Sequence, residues 1–438
     1  MTDHNEKGQA LWNRAKKTIP GGSQLLSKRA ELFLPDFWPS YFSKAKGVEV
    51  WDLDGKRYLD MSLMGVGTST LGYGCDEVDL AVQNVVSKGN MTSLNCPEEV
   101  YLAEKLVELH PWADMVRFAR SGGEANAIAI RVARAASGKH NVAFCGYHGW
   151  HDWYIAANLG GEENLENHLL PGLAPAGVHE ALQGTAFPFD YNDLPALKKL
   201  VQEHNIGVIK MEVMRNIPPK DGFLQGVRDL ASENGIVLIF DECTSGFRES
   251  FGGIHLNFNV VPDVMVLGKA LGNGYAITAV LGQRNVMETA QSSFISSTFW
   301  TERIGPTAAL ASLAKMDSLG SWEILPRFGR LIKQGWESLA NQYDLPILVQ
   351  GIDAIPSFVI QSEAWLPYKT LITQQCLKSG ILAGNLFYPS TAHKEEDFHH
   401  YFDVLDGIFS LIAECEAGRD VMALLDGEVC HSGFKRLN

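Results

Sequence analysis

Runs of apolar residues that alternate with helix-like segments dominate the middle of the chain. From about residue 95 onward these runs are apolar almost throughout, and the segments between them have helical spacing. Strands that are buried on both faces have this composition, and helices between successive strands produce a mostly parallel sheet. The pattern therefore predicts an α/β domain with strands at residues 142–145, 208–211, 236–240 and 264–267.

The two ends of the chain have a different pattern. Residues 47–60 alternate apolar and polar positions around an Asp-Gly pair, which predicts a β-hairpin. After about residue 325, apolar runs at 358–360 and 381–382 flank a helix near 369–378, and a long helix is expected over 395–416. We expect a smaller α/β domain that shares its layer with the N-terminal segment. The predicted bounds are 1–65 for the N-terminal part of the small domain, 66–324 for the large domain and 325–438 for the C-terminal part of the small domain.

Composition and charge exclude several classes of protein. The chain has 438 residues, with 37 basic and 51 acidic side chains and a net charge of −14. An acidic surface without a Lys/Arg stripe repels nucleic acid, and no apolar run approaches the length of a membrane span. The polar N-terminal residues do not have the pattern of a signal peptide. The seven cysteines are scattered, which is typical of reduced thiols in the cytoplasm rather than of disulfides or a metal site.

Polar residues follow the predicted strands at the edge where ligands bind in α/β sheets. Ligands of such sheets lie beyond the carboxyl ends of the strands. Tyr147 follows the first of the four runs, and Glu212 ends the second. Asp241 follows the third run, and Lys269 follows the fourth. The pattern therefore predicts that a phenol, carboxylates and a lysine gather on one rim of the sheet.

Asp241 and Lys269 each allow two interpretations. A carboxylate that follows five apolar residues is expected to be buried, and burial is costly unless a cation compensates it. Asp241 could therefore form a salt bridge with Arg248 or another basic group, or it could pair with a protonated pyridine nitrogen. Lys269 could form an ion pair with a strand-end acid, or it could have a depressed pKa or a covalent role.

A serine and two glycines precede an alanine-rich helical run at residues 125–136. Ser121 as N-cap, with a glutamate three residues later, is a capping box, which alone could explain the motif. Gly122 and Gly123 also leave backbone N–H groups bare at the start of a helix, where the helix dipole favours an anion. The motif therefore predicts either a helix cap or a phosphate site.

Together these segments resemble the class III aminotransferases of the fold type I enzymes that depend on pyridoxal 5′-phosphate (PLP). The glutamate-1-semialdehyde aminomutase-like branch is the most similar. The segments that carry the resemblance are VWDLDGKRYLD, VRFARSGGEANAIAIRVARAASG, FCGYHGWHD, LIFDECTSGFR, VLGKALGNG and TAHKEEDF. The 28 residues from Asp241 to Lys269 are a specific part of the match.

The resemblance implies PLP as the cofactor and a role for each matching residue. Lys269 would form the aldimine with PLP, and Asp241 would hold the proton on the pyridine nitrogen. Tyr147 would stack on the ring, and the amides of Gly122 and Gly123 would bind the phosphate. The implied catalytic residues are Lys269 and Asp241. The implied cofactor-binding residues are Ser121, Gly122, Gly123, Tyr147, Glu212, Asn216, Asp241, Cys243, Lys269 and Thr301.

Some of these positions depart from the family pattern. Cys243 stands where the family has a branched side chain on the ring, and Glu212 matches an acid near the cofactor. Asn216 would reach the phenolic oxygen, although its segment is one residue short. Thr301 would donate to the phosphate of the neighbouring subunit, and Thr298 competes for this role. The resemblance thus implies a homodimer with shared active sites.

The resemblance implies transfer of an amino group between a small-molecule amine or amino acid and an oxo acceptor. Intramolecular transfer by an aminomutase is the alternative, followed by racemisation or epimerisation and by a non-catalytic protein of the same fold. Four arginines are candidates for binding a substrate carboxylate, although an arginine in such a position more often forms a structural ion pair: Arg29, Arg215, Arg248 and Arg303. Four tryptophans could line a pocket or belong to the core: Trp38, Trp150, Trp153 and Trp300.

Overall fold

The computed structural model describes residues 6–161, 163–168 and 171–433. They form two compact units, one of residues 6–75 with 323–433 and the other of residues 76–322. The predicted domain limits at residues 1 and 438 lie outside the described residues, as do the first five residues of the polar N-terminal segment.

Helices and strands alternate along most of the described chain. The strands are, in chain order, β1 (Phe42–Lys46), β2 (Glu49–Asp52), β3 (Arg57–Asp60), β4 (Met115–Ala119), β5 (Asn141–Cys145), β6 (Ala186–Pro188), β7 (Ile206–Glu212), β8 (Val237–Glu242), β9 (Val264–Leu267), β10 (Thr278–Gly282), β11 (Ile347–Gln350), β12 (Ser357–Ile360) and β13 (Ile381–Leu382). The helices are α1 (Glu6–Thr18), α2 (Met64–Gly67), α3 (Asp76–Val86), α4 (Pro97–Leu109), α5 (Gly122–Ser137), α6 (Asp152–Ile155), α7 (Leu194–Glu203), α8 (Phe223–Glu233), α9 (Arg284–Met287), α10 (Ile304–Leu319), α11 (Ser321–Gln342), α12 (Trp365–Lys378) and α13 (Glu395–Glu416). None of the helices in the described part of the chain is long and apolar enough to cross a membrane.

The unit of residues 76–322 is built on a seven-stranded sheet with the order β4-β10-β9-β8-β7-β5-β6. Four neighbouring pairs in this sheet are parallel: β6 with β5, β5 with β7, β7 with β8, and β8 with β9. β10 is antiparallel to both β4 and β9. The four apolar runs coincide with β5, β7, β8 and β9, so the predicted mostly parallel α/β sheet is confirmed.

Two central strands end in carboxylates because of their register. Glu212 of β7 is the partner of Asp241 in β8, and each lies inside its strand rather than after it. Side chains at alternate strand positions point to the same face. Val208, Lys210 and Glu212 therefore share a face with Ile239 and Asp241. Helix α5 packs on this face and supplies much of its apolar core.

The other unit joins the two ends of the chain in one sheet, with the order β1-β2-β3-β13. The antiparallel pair β2–β3 forms the predicted hairpin, and β13 pairs parallel with β3. The core of this unit contains Trp336, Phe358 and Phe409. The sequence pattern indicated this sharing of one layer by the N- and C-terminal segments.

Helix α12 begins earlier than the sequence pattern indicates. The predicted start was near residue 369, but the helix begins at Trp365 and contains Pro367 in its first turn. Proline is tolerated there because its missing N–H would have no partner within the helix. The proline therefore marks the start of α12 and does not interrupt it.

Candidate active site

Asp241 is a buried acid on the rim of the large sheet, with 3% of its surface exposed. The Nδ1 of His148 lies 2.9 Å from its Oδ2, and the backbone N–H of Cys243 donates to its Oδ1 at 3.1 Å. The Nζ of Lys210 lies 3.4 Å from Oδ2. The buried carboxylate therefore has two side-chain partners at one oxygen and a backbone donor at the other.

Asp241 is held in its charged form by these partners. Burial alone would raise its pKa, but the charge of Lys210 and the hydrogen bond from His148 hold the pKa well below its ordinary value. Burial lowers the pKa of Lys210 and the charge of Asp241 opposes this, so the two groups favour each other's charged forms, with Lys210 as the compensating cation. Arg248 instead donates from Nε to the carbonyl oxygen of Thr244 at 2.6 Å. One interpretation of the sequence was a salt bridge of Asp241 with Arg248 or with another basic group. The structure places that other basic group, Lys210, beside Asp241.

His148 connects Asp241 to the backbone after β5. Its ring is fully buried, and its Nε2 lies 3.0 Å from the carbonyl oxygen of Cys145. Burial lowers the pKa of His148 and opposes a charge on the ring, while Asp241 opposes that shift. Both ring nitrogens face oxygen acceptors, so a neutral ring donates to only one of them and a protonated ring donates to both. Within the described residues, no group of three or more potential ligands is arranged to hold a metal ion.

Lys269 follows β9 in an unusual backbone conformation. Its φ is +45°, in the left-handed region, which costs a side-chain-bearing residue about 1–3 kcal/mol and is common at functional sites. Its Nζ donates to the Oγ1 of Thr244 at 2.8 Å. Because β8 and β9 are parallel neighbours in the sheet, Asp241 near the end of β8 and Lys269 just after β9 lie at the same edge.

The start of α5 is a capped helix end with two amide groups that have no acceptor within the described residues. Ser121 and Glu124 form the predicted capping box. In the described structure the N–H groups of Gly122 and Gly123 have no acceptor, as expected for the first turn of a helix. A Cβ on Gly123 would lie 2.9 Å from Cδ2 of His151, so the neighbouring loop approaches closely. The two interpretations of this motif are therefore compatible.

Cys243 lies between the start of α5 and the end of β9. A Cβ built on Gly122 would be 3.8 Å from its Sγ, and one on Gly268 would be 3.3 Å away. Burial raises the pKa of the Cys243 thiol well above its ordinary value, with Asp241 adding to this effect. The thiol is therefore protonated and acts through packing rather than as a nucleophile.

Glu212 and Tyr147 meet on the same rim. The backbone N–H of Tyr147 donates to Oε2 of Glu212 at 3.3 Å, while Arg215 donates from Nη1 to Oε1 at 3.2 Å. Burial raises the pKa of Tyr147, and the charge of Arg215 opposes this. Arg215 thus forms an ion pair with Glu212, which agrees with the prediction of a structural ion pair for this arginine. Arg303 is likewise paired, with Glu98 at 2.8 Å.

The remaining predicted residues lie on the surface of the unit. Asn216 is exposed, in the segment that follows β7. Thr301 and Thr298 are also exposed, and the Oγ1 of Thr301 donates to the carbonyl oxygen of Thr298 at 2.8 Å. The single chain does not bring these side chains into the hydrogen-bond network around Asp241, so their roles stay predictions.

Sequence reasoning missed three members of this site. Lys210 lies within the apolar run at residues 208–211, and neither His148 nor Thr244 was predicted as a site residue. The available signal for Lys210 was a single lysine in a strand that is otherwise buried on both faces. Such a lysine requires a buried partner.

The residues present fit PLP by their chemistry. The cofactor has a basic ring nitrogen, an aldehyde and a phosphate. The rim offers an ionised buried carboxylate, a lysine in strained backbone and two free amides at a helix N-terminus. Each of these is complementary to one group of the cofactor.

Comparisons with known proteins agree with this chemistry. The profile of the family described as aminotransferase class-III matches residues 36–388. The 3-aminobutyryl-CoA aminotransferase of Cloacimonas acidaminovorans (strain Evry) is 32% identical over 416 residues, which cover 91% of this chain and 95% of that protein. The glutamate-1-semialdehyde 2,1-aminomutase of Methanocaldococcus jannaschii is 33% identical over 358 residues, which cover 79% of this chain and 81% of that protein. The PLP internal aldimine form of the FumI protein from Sphingopyxis sp. MTA144 has a TM-score of 0.84 at 24% identity and covers 95% of this chain and 99% of that one.

The chain belongs to the class III aminotransferase family and has the fold of the PLP-dependent fold type I enzymes. It is a PLP-dependent enzyme that transfers an amino group between an amine or amino acid and an oxo compound. The family, fold class, cofactor and reaction class predicted from the sequence are thereby confirmed.

Proposed function

We propose that the enzyme moves an amino group between two separate small molecules, with Lys269 as the catalytic base. The observation that carries the proposal is the common position of Lys269 and Asp241 at the ends of two adjacent parallel strands. The open amides at the start of α5 support it, because they provide the phosphate site that the same cofactor needs.

The chain's own residues would perform the following tasks. When bound, PLP supplies an aldehyde that condenses with amines and a ring that accepts the electron pair of the broken bond. The Nζ of Lys269 would take the proton from the substrate carbon. The hydroxyl oxygen of Thr244 would accept a hydrogen bond from this amine and so orient it. Asp241 would keep a proton on the ring nitrogen. Gly122 and Gly123 would bind the phosphate with their N–H groups.

The other assigned residues would shape the site around the ring. We propose that Tyr147 covers one face of the ring, and that Cys243 packs near it with Ser121 and Glu212 at the edge. Asn216 would contact the phenolic oxygen. Support comes from the positions of Tyr147, Cys243 and Glu212 around Asp241, since all three influence or share its electrostatic environment.

Replacing Lys269 by alanine tests the proposed base. We expect the Lys269→Ala protein to bind PLP without a covalent link and to lose at least about 100-fold in turnover, because a positioned acid–base group contributes that much. The measurement is amino transfer from a panel of donors, including a 3-aminoacyl thioester, to oxo acceptors. Lys198→Ala, at an exposed lysine of α7, is the control. Unchanged turnover in Lys269→Ala would refute the proposal.

An intramolecular aminomutase is the second candidate function. The 33% identity to an aminomutase that covers 79% of this chain favours it. An aminomutase converts one substrate without an external donor, whereas an aminotransferase needs both partners. Incubating the PLP form with a single amino-oxo substrate, and analysing the products, separates the two activities.

We propose that two copies of the chain form a homodimer in which Thr301, or Thr298, reaches the phosphate bound by the partner. Large apolar side chains near these threonines support an interface, since Phe294 is 89% exposed and Phe299 is 70% exposed. Light scattering of the purified protein measures its mass. A monomer at assay concentration with full activity would contradict the shared site.

We also propose that the enzyme works in the cytoplasm. Seven cysteines of the described chain are free thiols, as expected in a reducing compartment. Fractionation of cells that produce the tagged protein tests this location, and recovery outside the cytoplasmic fraction would contradict it.

A further inference from the structure

Lys210 is a buried charge that the proposed reaction does not use. It is 0% exposed, in the middle of a strand whose residues are all buried. Its Nζ makes no hydrogen bond of good geometry within the described residues, and Oδ2 of Asp241 is 3.4 Å away. Lysine is among the residues least often fully buried, because transfer of its ammonium from water is costly. An apolar side chain would fill this strand position at no such cost.

The two oxygens of Asp241 have different surroundings. Oδ2 lies 2.9 Å from Nδ1 of His148, and Nζ of Lys210 lies 3.4 Å from the same oxygen as an ion pair. Among the described residues, Oδ1 accepts the backbone N–H of Cys243, at 3.1 Å, and no other hydrogen bond. A carboxylate oxygen can accept two hydrogen bonds, so Oδ1 has room for one further donor.

Without a neighbouring cation, a carboxylate in this position would not stay charged. Fully buried acids have pKa values raised to as much as about 8–9 and are then protonated at neutral pH. A protonated Asp241 would have no charge with which to hold a proton on the cofactor's ring nitrogen. The site therefore needs a fixed positive charge on the side of Asp241 away from the cofactor.

We infer that Lys210 is a positioning residue that keeps Asp241 ionised through its charge beside Oδ2, so that the carboxylate can hold the proton on the ring nitrogen of the cofactor. The inference rests on the proposed role of Asp241. Lys210 acts through Asp241 and does not touch the reacting atoms.

The affinity for pyridoxamine 5′-phosphate tests this role, because the compound has the ring nitrogen and phosphate but no aldehyde to react with Lys269. The variants are Lys210→Met, which keeps the chain length and removes the charge, and Val208→Ala, a packing control on the same face of β7. Tryptophan fluorescence measures each dissociation constant at about pH 6 and about pH 8, where a buried, uncompensated acid titrates.

At each pH, the dissociation constant of Lys210→Met is divided by that of the wild-type protein. We expect this ratio to be at least about tenfold larger at the lower pH than at the higher pH, because Asp241 in the variant takes up a proton before the ligand binds. Other ionisable groups that interact with Asp241 or Lys210 are His148, Cys243, Glu212, Tyr147 and Tyr154. They are present in both proteins, but the charge of Lys210 lowers the pKa values of His148 and Cys243, so the ratio reports the response of Asp241 together with these two neighbours. For the packing control Val208→Ala, we expect the corresponding ratio to be the same at both pH values. The inference is overturned if the ratio for Lys210→Met is also the same at both pH values.

A second pair of variants covers the case in which Lys210→Met does not fold. In the cofactor-free protein, Lys210→Met combined with Asp241→Asn removes both buried charges. Recovery of a cooperative thermal transition in the double variant supports the pairing, and its failure to recover overturns it. If the wild-type protein does not bind pyridoxamine 5′-phosphate at all, the proposed function fails. If it binds and the ratio is flat, only the role of Lys210 fails.

Discussion

The electrostatic balance at Asp241 links the stability of the large unit to its chemistry. The carboxylate is buried beside Lys210 and His148, and its ionised form is favoured by both. Removing one member of a buried pair leaves an uncompensated charge, which is more harmful than removing both. Residues proposed to serve the cofactor are therefore also expected to affect how well the unit folds before the cofactor is present.

Asp241→Asn is expected to lower the free energy of unfolding of the cofactor-free protein by about 3–5 kcal/mol, because Lys210 becomes an unpaired buried cation. Urea unfolding at neutral pH measures this change. Asp221→Asn, at an exposed residue, is the control and is expected to change the free energy of unfolding little. A similar small change in Asp241→Asn would show that the pair contributes no stability.

Thr244 allows a second residue-level test, because its hydroxyl is the acceptor for Lys269. Thr244→Val keeps the shape and removes the acceptor, so the amine loses its orientation. We expect turnover to fall by about tenfold, roughly the effect of one lost hydrogen bond to a charged group, with a smaller change in the KM of the donor. Thr244→Ser keeps the hydroxyl and should retain most of the turnover. Equal losses in both variants would contradict the orienting role.

The sequence predicted the residues of the site that belong to contiguous motifs, but not those that meet only through strand register. Asp241 and Lys269 follow apolar runs and were accessible from pattern alone. Lys210 was not, because its partnership depends on the pairing of β7 with β8. Thr244 was missed because its contact with Lys269 depends on the left-handed backbone at that lysine.

At the scale of elements, helix ends control both binding and stability in the large unit. The start of α5 leaves amides open to an anion, and its close contact with the loop at His151 leaves no space for a side chain on Gly123. The end of α4 is capped by His110, whose Nδ1 lies 2.8 Å from the carbonyl oxygen of Leu106. These two ends lead to separate predictions.

Gly123→Ala should weaken PLP binding at least about tenfold, because the added Cβ would lie 2.9 Å from His151 and would displace the loop beside the phosphate site. Spectroscopic titration of the cofactor-free protein measures the affinity. Gly407→Ala, at a glycine of α13 with open space around its Cβ position, is the matched control and should leave the affinity unchanged. Tight binding by Gly123→Ala would exclude this helix end as the phosphate site.

His110 makes the large unit sensitive to acid. Burial lowers its pKa to about 4, so the unfolded chain binds a proton at this residue below about pH 6.5 while the folded chain does not. Stability should therefore fall as the pH decreases from about 6.5 to 4, by at most about 3 kcal/mol from this group. Urea unfolding across this range measures the slope. His110→Gln should make the slope shallower, and an unchanged slope would exclude this histidine as its source.

Helices and strands were predicted accurately where the apolar pattern was continuous. The prediction was less accurate for strand direction and for a helix that begins with a proline in its first turn. The predicted strands at 264–267 and 381–382 and the helix at 395–416 match β9, β13 and α13. The strand β10 was not predicted at all, and an apolar run contains no information about its antiparallel direction. The early start of α12 was missed because of Pro367.

At the scale of the whole molecule, the unit that contains both chain ends depends on contacts between distant residues. The backbone N–H of Leu59 donates to Gly380 and that of Met61 donates to Leu382, each at 2.9 Å. Contacts between such distant residues form late, because closing a long loop carries a large entropy loss. The sheet of the other unit requires only residues from the middle of the chain.

Hydrogen exchange during refolding should show this order. We expect the amides of β8 to become protected before those of Leu59 and Met61, since β8 pairs with strands close in sequence. Pulsed labelling followed by mass spectrometry of fragments measures the two rates. Simultaneous protection of both sets would indicate that the molecule folds as one cooperative unit.

The parallel pairing of β3 with β13 also has a consequence during synthesis. Translation proceeds at about 5–20 residues per second, so β3 emerges from the ribosome many seconds before its neighbour exists. During that interval the nascent chain exposes a strand edge that can pair wrongly with other polypeptides. Translation speed and chaperone capture in that interval, rather than the final stability, would then limit the yield of active enzyme in a cell.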